Sequence, residues 1–242
     1  MKKGFTLAEI LVTLAIVGVV ASMTIPTLVT SNQKKVWANS LAKAVNTMSN
    51  SLSLMVMKDG AYGLIDSQLW ADLNNGIDVK TAFENNLGST MVFTDKYSDG
   101  TSSYTAIPKT LYGVEKSGLF EDYTKIITKG NITYFVYPAK AANSNYLVDF
   151  DSWVMDVIVD INGNDAPNTI GKDIFGFLVS DEGRMLAYGN SYPGFLSIGD
   201  TSAGDSSRFE NVWEDYCPDP NKTDTGFCCT GRVVAEGYKI NY

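Results

Sequence analysis

Apolar residues are concentrated at the start of the chain, where no charged side chain occurs between Ile10 and Gln33. The apolar run from Phe5 to Val29 is long enough to cross a bilayer as one helix, which needs about 20 residues. Beyond Pro26, apolar residues recur every three or four positions, as on one face of a helix. That face consists of Trp37, Leu41, Ala44, Val45, Met48, Leu52 and Met55. We expect a single helix over residues 5–57, transmembrane to about residue 29 and amphipathic after it.

Pro26 lies inside this helical pattern. A proline within a helix lacks the backbone N–H and clashes with the preceding turn, so we expect a kink or a local unwinding there. The pair Asp59-Gly60 is typical of a helix end.

Residues 58–242 are more polar and are expected to form one globular head. Residues 67–87 are partly helical in pattern, with an interruption at Asn74-Asn75-Gly76, and residues 88–130 are rich in loops. Strand patterns cover 132–137, 153–161, 174–179, 184–188 and 232–240, and Asp181-Glu182-Gly183 predicts a tight hairpin turn. Short connections favour antiparallel pairing. The predicted fold class is α+β, with the long N-terminal helix packed on a C-terminal antiparallel β-sheet head.

Composition and charge restrict the possible functions. The 242 residues include no histidine, and the formal net charge is −8. Without histidine, Ser-His-Asp and Cys-His catalytic arrangements are impossible, and the sequence has no glycine-rich phosphate loop. We therefore predict no catalytic residues and no enzyme activity. The acidic balance argues against nucleic-acid binding by the bulk of the head, but not against a local basic patch.

The first nine residues form a recognisable motif. Lys2 and Lys3 precede Gly4, Phe5 follows, and Glu9 is the one carboxylate at the start of the apolar run. An ordinary signal peptide places its small cleavage residue after the apolar run, whereas here it stands before the run. The motif resembles the prepilin leader of type IV pilins and type II secretion pseudopilins. A plain membrane anchor or uncleaved signal is the alternative interpretation.

The resemblance implies a leader over residues 1–4, cleavage after Gly4 by a prepilin peptidase, and methylation of the new Phe5 amine. It also implies that Glu9 pairs with the N-terminal amine of a neighbouring subunit during assembly. A carboxylate inside a membrane segment costs about 3 kcal/mol, and a partner cation would offset that cost. The alternative is that Glu9 reaches the cytoplasmic headgroups by itself.

The function implied is that of a structural subunit of a type IV pilus or type II secretion pseudopilus. The alternative is a tip-located minor pilin or adhesin whose head binds a ligand, a surface or DNA. Expected partners are other pilin subunits, the inner-membrane assembly machinery and membrane lipid. Because basic residues before a spanning helix stay cytoplasmic, we expect one inner-membrane pass with the head outside, followed by a periplasmic or cell-surface filament.

A loop between two predicted strands suggests a calcium site. Asp160, Asn162 and Asn164 match the first three alternating ligand positions of an EF-hand-like loop. Asp165 replaces the required glycine and no closing glutamate follows, so Asp165 or Asp173 and a backbone carbonyl would have to complete the site. An Asx-rich turn without metal is the alternative, and Ca²⁺ is the only cofactor that the sequence suggests.

Three cysteines lie near the C-terminus, namely Cys217, Cys228 and Cys229. Disulfides persist in the oxidising setting of an exported head, and many type IV pilins have a similar C-terminal disulfide-bounded loop. The resemblance implies a bridge from Cys217 to Cys228 or Cys229. The shorter loop favours Cys228, which leaves one thiol over.

Overall fold

The computed structural model describes residues 6–138, 153–189, 217 and 226–242. Its helices are α1 (Leu7–Asp59), α2 (Gln68–Asn74), α3 (Val79–Leu87) and α4 (Cys229–Ala235). Its strands are β1 (Phe93–Thr94), β2 (Thr124–Thr128), β3 (Thr133–Pro138), β4 (Trp153–Asp160), β5 (Ile174–Ser180) and β6 (Met185–Ala187). The strands form one antiparallel sheet in the order β1-β2-β3-β4-β5-β6. The predicted α+β class is confirmed.

The chain divides into two compact units, Met1–Val36 and Trp37–Tyr242. Within the first unit, the large apolar side chains of α1 from Leu7 to Val29 are exposed. This segment is long and apolar enough to cross a membrane, by length and composition. The helix is unbroken through Pro26, so the local unwinding that we considered there does not occur. The hydroxyl of Thr30 donates to the carbonyl of Pro26 at 2.9 Å, so the threonine side chain finds its hydrogen-bond acceptor within its own helix.

Within the second unit, the remainder of α1 supplies one side of the main core. Its buried residues are Ala38, Leu41, Ala44, Val45, Met48, Ser51, Leu52 and Met55, and Trp37 is partly buried against them. The predicted amphipathic face is therefore confirmed, because the period of 3.6 places these positions on one side of the helix. They pack with α2, α3 and one face of the sheet, and the hydroxyl of Tyr134 on β3 donates to the carbonyl of Ala44 at 3.1 Å.

The opposite face of the sheet is also covered. Phe135 and Ile158 point away from α1 and pack with Phe120, Ile170 and Tyr188 in a second cluster. Both clusters draw on alternate residues of the same strands, as the two-residue period of a strand requires. The central strands are consequently buried on both faces, which explains why β5 has no exposed residue.

The C-terminal segment and the loop-rich stretch differ from the prediction. Residues 232–240 were predicted to be a strand, but α4 occupies Cys229–Ala235. The hydroxyl of Thr230 accepts a hydrogen bond from the N–H of Gly176 at 3.0 Å, and Val233 enters the main core. Tertiary contacts thus override the strand preference of the valines. The stretch 88–130 contains β1 and β2, which its sequence did not indicate, since Ile126 and Ile127 are both buried and break the alternation.

Candidate functional site

The start of α1 is stabilised by a reciprocal hydrogen-bonding pair, Thr6 and Glu9. The backbone N–H and the hydroxyl of Thr6 both donate to Glu9 Oε2 at 2.8 Å. The N–H of Glu9 donates to Thr6 Oγ1 at 3.3 Å. This arrangement is a capping box, in which two backbone donors that the first helical turn leaves unpaired find side-chain partners. Gly4 and Phe5 lie outside the described residues.

The capping box gives Glu9 a local role that the sequence analysis did not assign. Its carboxylate lies at the N-terminal end of α1, where the helix dipole favours negative charge. Thr6 belongs to the N-terminal motif, but its capping role was not predicted, although a threonine three positions before a glutamate is a known signal of a helix start. The carboxylate remains exposed and can accept a further donor.

The predicted calcium loop joins β4 to β5, and its first acidic residue is already satisfied by protein donors. Asp160 Oδ1 accepts the N–H of Asn162 at 3.1 Å and that of Gly163 at 2.7 Å. Its Oδ2 accepts the hydroxyl of Tyr104 at 2.8 Å. Asp160 is fully buried, and that burial, together with the nearby charge of Asp173, raises the pKa of its carboxyl well above the ordinary value.

The amide side chains of the loop point to neighbouring backbone. Asn164 Oδ1 accepts the N–H groups of Thr105 at 2.8 Å and Ala106 at 3.2 Å. The Nδ2 of Asn162 donates to the backbone carbonyls of Asp165 at 2.9 Å and Ala166 at 3.2 Å. These bonds fold the loop on itself and fasten it to the segment before β2.

Asp173 closes the loop at the start of β5. Its Oδ2 accepts the N–H of Asn168 at 2.8 Å, and its Oδ1 accepts that of Thr169 at 2.6 Å. Burial raises the pKa of Asp173 to about 6, although these backbone donors pull it in the opposite direction. The Asp173 carboxylate therefore orders the backbone before β5 rather than facing an open site.

These residues do not fit a calcium ion. Calcium takes six to eight oxygens directed at one point, whereas the oxygens of Asp160, Asn164 and Asp173 accept hydrogen bonds from the backbone N–H groups of Gly163, Thr105 and Thr169. Among the described residues, no group of three acidic, cysteine or histidine side chains is placed to hold a metal. Asn162 Oδ1 is a buried oxygen that makes no hydrogen bond within the described part of the chain, and one such atom does not make a ligand set. The geometry favours the Asx-rich turn.

The disulfide joins Cys217 to Cys229, with 5.0 Å between their Cα atoms. The preference for Cys228 was therefore wrong. Cys229 is the first residue of α4, and neighbouring positions there point about 100° apart, so only one of the two can face Cys217. Cys228 keeps its thiol and is buried. Its backbone packs against Gly189, where an added Cβ would lie 2.5 Å from the Cys228 carbonyl oxygen.

A further carboxylate, partly buried, lies on the sheet face away from α1. Asp156 on β4 accepts hydrogen bonds from the hydroxyls of Tyr123, at 2.6 Å, and Tyr188. Burial raises the pKa of Asp156 to about 6, and the two tyrosine donors limit that rise. The sequence analysis missed this cluster, because its members are separated by about 30 positions along the chain.

Comparisons with known proteins agree with the N-terminal motif. Residues 1–25 match the family model described as the prokaryotic N-terminal methylation motif. No curated protein and no solved structure matches the chain.

Proposed function

We propose that this chain, a type IV pilin-like precursor by the N-terminal methylation motif of its residues 1–25, is a structural subunit of a type IV pilus or type II secretion pseudopilus. The observation that carries the proposal is the combination of that motif with α1. One half of this helix is apolar and exposed, and the other half supplies one side of the main core of the head.

The two halves of α1 suit two environments. An exposed apolar helical segment can lie in lipid before assembly and against the same segment of other subunits afterwards, because neither environment exposes it to water. From Trp37 onward, the helix is held by the sheet, α2 and α3 within the second unit. On this proposal, the first half of α1 inserts into the membrane and later polymerises, and the head folds separately.

Processing is the first step of the proposed pathway. A prepilin peptidase would cut after Gly4, and the new Phe5 amine would be methylated. Cleavage at that position leaves the Thr6–Glu9 capping box intact, because both of its members lie beyond the cut. The mature helix would then begin with a new amine close to a capped first turn.

The test is N-terminal peptide mass analysis of the protein from native membranes. We expect an N-methylated peptide that begins at Phe5. A Gly4→Leu variant is the matched control, since a large side chain at the cleavage position should leave Met1, Lys2 and Lys3 on the chain. Retention of Met1 in the unaltered protein, or cleavage beyond Pro26, would refute the proposal.

A further inference from the structure

The two ends of the sheet carry surfaces of different character. The antiparallel register places the β2–β3 turn, residues 129–131, at the same end as Asp160 and Ile174. The β5–β6 turn, residues 181–183, follows Ser180 at the other end. The 7 residues of β5 separate these ends by about 20 Å, at about 3.3 Å per residue. Groups at one end of the sheet therefore cannot contact groups at the other end of the same chain.

The first surface lies beside the β5–β6 turn, and we call it the turn surface. The backbone N–H of Ile65 donates to Asp181 Oδ1 at 2.9 Å, and this bond ties the segment after α1 to the turn. The side chain of Tyr62 is 99% exposed. Exposed tyrosine and methionine are typical of protein interfaces. The turn surface consists of Leu54, Met57, Tyr62, Ile65, Asp66 and Glu182, all of them exposed.

The turn surface is acidic. The segments 54–66 and 181–184, which form it, contain four acidic residues, namely Asp59, Asp66, Asp181 and Glu182, and two basic ones, Lys58 and Arg184. Arg184 is bound to Glu182, so its charge is already neutralised locally. An acidic surface with an exposed apolar part favours a partner surface that presents cations beside an apolar side chain.

The second surface lies beside the β2–β3 turn and consists of Val92, Lys96 and Lys129, all exposed; we call it the lysine surface. The carbonyl of Val92 accepts the N–H of Lys129 at 3.0 Å, so the apolar side chain and the cation are neighbours. Among the residues that the structure describes, Lys96 and Lys129 form no ion pair.

The acidic residues next to the lysine surface are bound to other groups. Asp95 is bound to Lys80. Asp99 accepts the N–H and the hydroxyl of Thr101, both at 2.9 Å. The lysine surface therefore keeps its positive character in a chain of net charge −8.

We propose that, in the proposed filament, the turn surface of one copy of this chain contacts the lysine surface of the next copy. The two surfaces differ, are opposite in charge and lie too far apart to meet within one chain. A contact between two different surfaces of identical subunits repeats from copy to copy and builds an open helical filament when the rotation does not close a ring. The inference rests on the proposed function, since a contact of this size holds two heads together only alongside the packing of α1.

The test is charge reversal at each surface of the full-length chain, with the share of subunit recovered in sheared filaments as the readout. Asp66→Lys/Glu182→Lys reverses the turn surface, and Lys96→Glu/Lys129→Glu reverses the lysine surface. Each double variant should lower filament recovery at least about threefold, because like charges then face each other at every repeat. The chain with all four substitutions should regain most of that loss, since each contact again joins opposite charges.

The apolar part of the contact has its own pair of variants. Tyr62→Ser should lower filament recovery, whereas Val114→Ser, at an exposed apolar residue outside both surfaces, should not. All the substituted side chains are exposed, so the melting temperatures of the detergent-solubilised variants should stay close to that of the unaltered chain.

Three outcomes would overturn the inference. Normal recovery of both double variants would show that these surfaces do not meet in the filament, and the filament-subunit proposal would stand. Loss in both double variants without recovery in the combined variant would assign the contacts to a different protein. Absence of the unaltered chain from sheared filaments would refute the filament-subunit proposal together with this inference.

Discussion

Gly183 lies against Leu52 so closely that a Cβ built on the glycine would stand 3.1 Å from the Cβ of Leu52. The glycine has a φ of +79°, which side-chain-bearing residues rarely adopt. Its carbonyl oxygen accepts a hydrogen bond from the hydroxyl of Ser49 at 3.0 Å. The predicted hairpin turn between β5 and β6 therefore packs directly against the buried half of α1 and connects the sheet to that helix.

We expect Gly183→Ala to destabilise the head by more than its backbone strain alone. A positive φ costs an L-residue about 1–2 kcal/mol, and the crowding against Leu52 should add about 1 kcal/mol or more. Gly76→Ala is the control, because Gly76 has a φ of +82° with nothing within 4 Å of the added Cβ. Melting temperatures of the detergent-solubilised chains measure both effects. Equal losses in the two variants would show that the contact with Leu52 is unimportant.

The proposed roles of Glu9 in capping and in assembly can be separated by two substitutions. Glu9→Gln can retain the capping box, because glutamine also serves at this position, but it removes the charge. Glu9→Ala removes both. If assembly depends on a charge pair, both variants should accumulate in the membrane and be depleted from sheared filaments. Normal filament recovery for Glu9→Gln with loss for Glu9→Ala would instead assign the role of Glu9 to the helix start.

The disulfide should contribute measurably to the stability of the head. Loss of a bridge that closes a loop of this size costs roughly 3 kcal/mol through the entropy of the unfolded chain. We expect Cys217→Ser to lower the melting temperature and Cys228→Ser to leave the bridge in place. Non-reducing peptide mapping of the unaltered protein should recover Cys217 linked to Cys229. Recovery of Cys217 linked to Cys228 would contradict the structure.

Asp156 should make stability depend on pH between about 4 and 6. Its folded pKa of about 6 exceeds the ordinary value of 3.8, so the folded chain holds a proton over an interval in which the unfolded chain has released it. The contribution of Asp156 to stability is therefore greatest below the ordinary pKa and is lost as pH rises through the folded pKa. Asp156→Asn should remove this decline.

The measurement is the melting temperature of the unaltered chain, of Asp156→Asn and of the exposed control Asp66→Asn at a series of pH values. Subtracting the melting temperature of each variant from that of the unaltered chain cancels the contributions of Asp160 and Asp173, because both residues are present in all three proteins. A difference for Asp156→Asn that does not change between pH 4 and pH 7 would argue against a raised pKa for this carboxyl.

Calcium should leave the melting temperature of the protein unchanged at millimolar concentration. Oxygens of Asp160, Asn164 and Asp173 already accept hydrogen bonds from backbone and tyrosine donors, and a cation would have to displace several of them. Magnesium serves as the control for general ionic effects. A calcium-specific rise in melting temperature that Asp160→Ala abolishes would restore the calcium site.

The sequence determined the features that rest on local patterns. The apolar run and the spacing from Trp37 to Met55 predicted α1 and its buried face, because a helix repeats every 3.6 residues and its neighbours are close in sequence. The Asp181-Glu182-Gly183 turn was evident for the same reason, since a hairpin turn is decided by a few adjacent residues.

Only the tertiary structure decided which distant residues meet. The choice of Cys229 over Cys228 depends on the start of α4, and α4 itself forms where Thr230 and Val233 meet the sheet. From the sequence, the side chain of Asp160 could either bind a metal or stabilise a turn. In the structure, the hydroxyl of Tyr104, 56 positions away, donates a hydrogen bond to one of its carboxylate oxygens. Such outcomes depend on packing between segments far apart in the chain, for which no local periodicity exists.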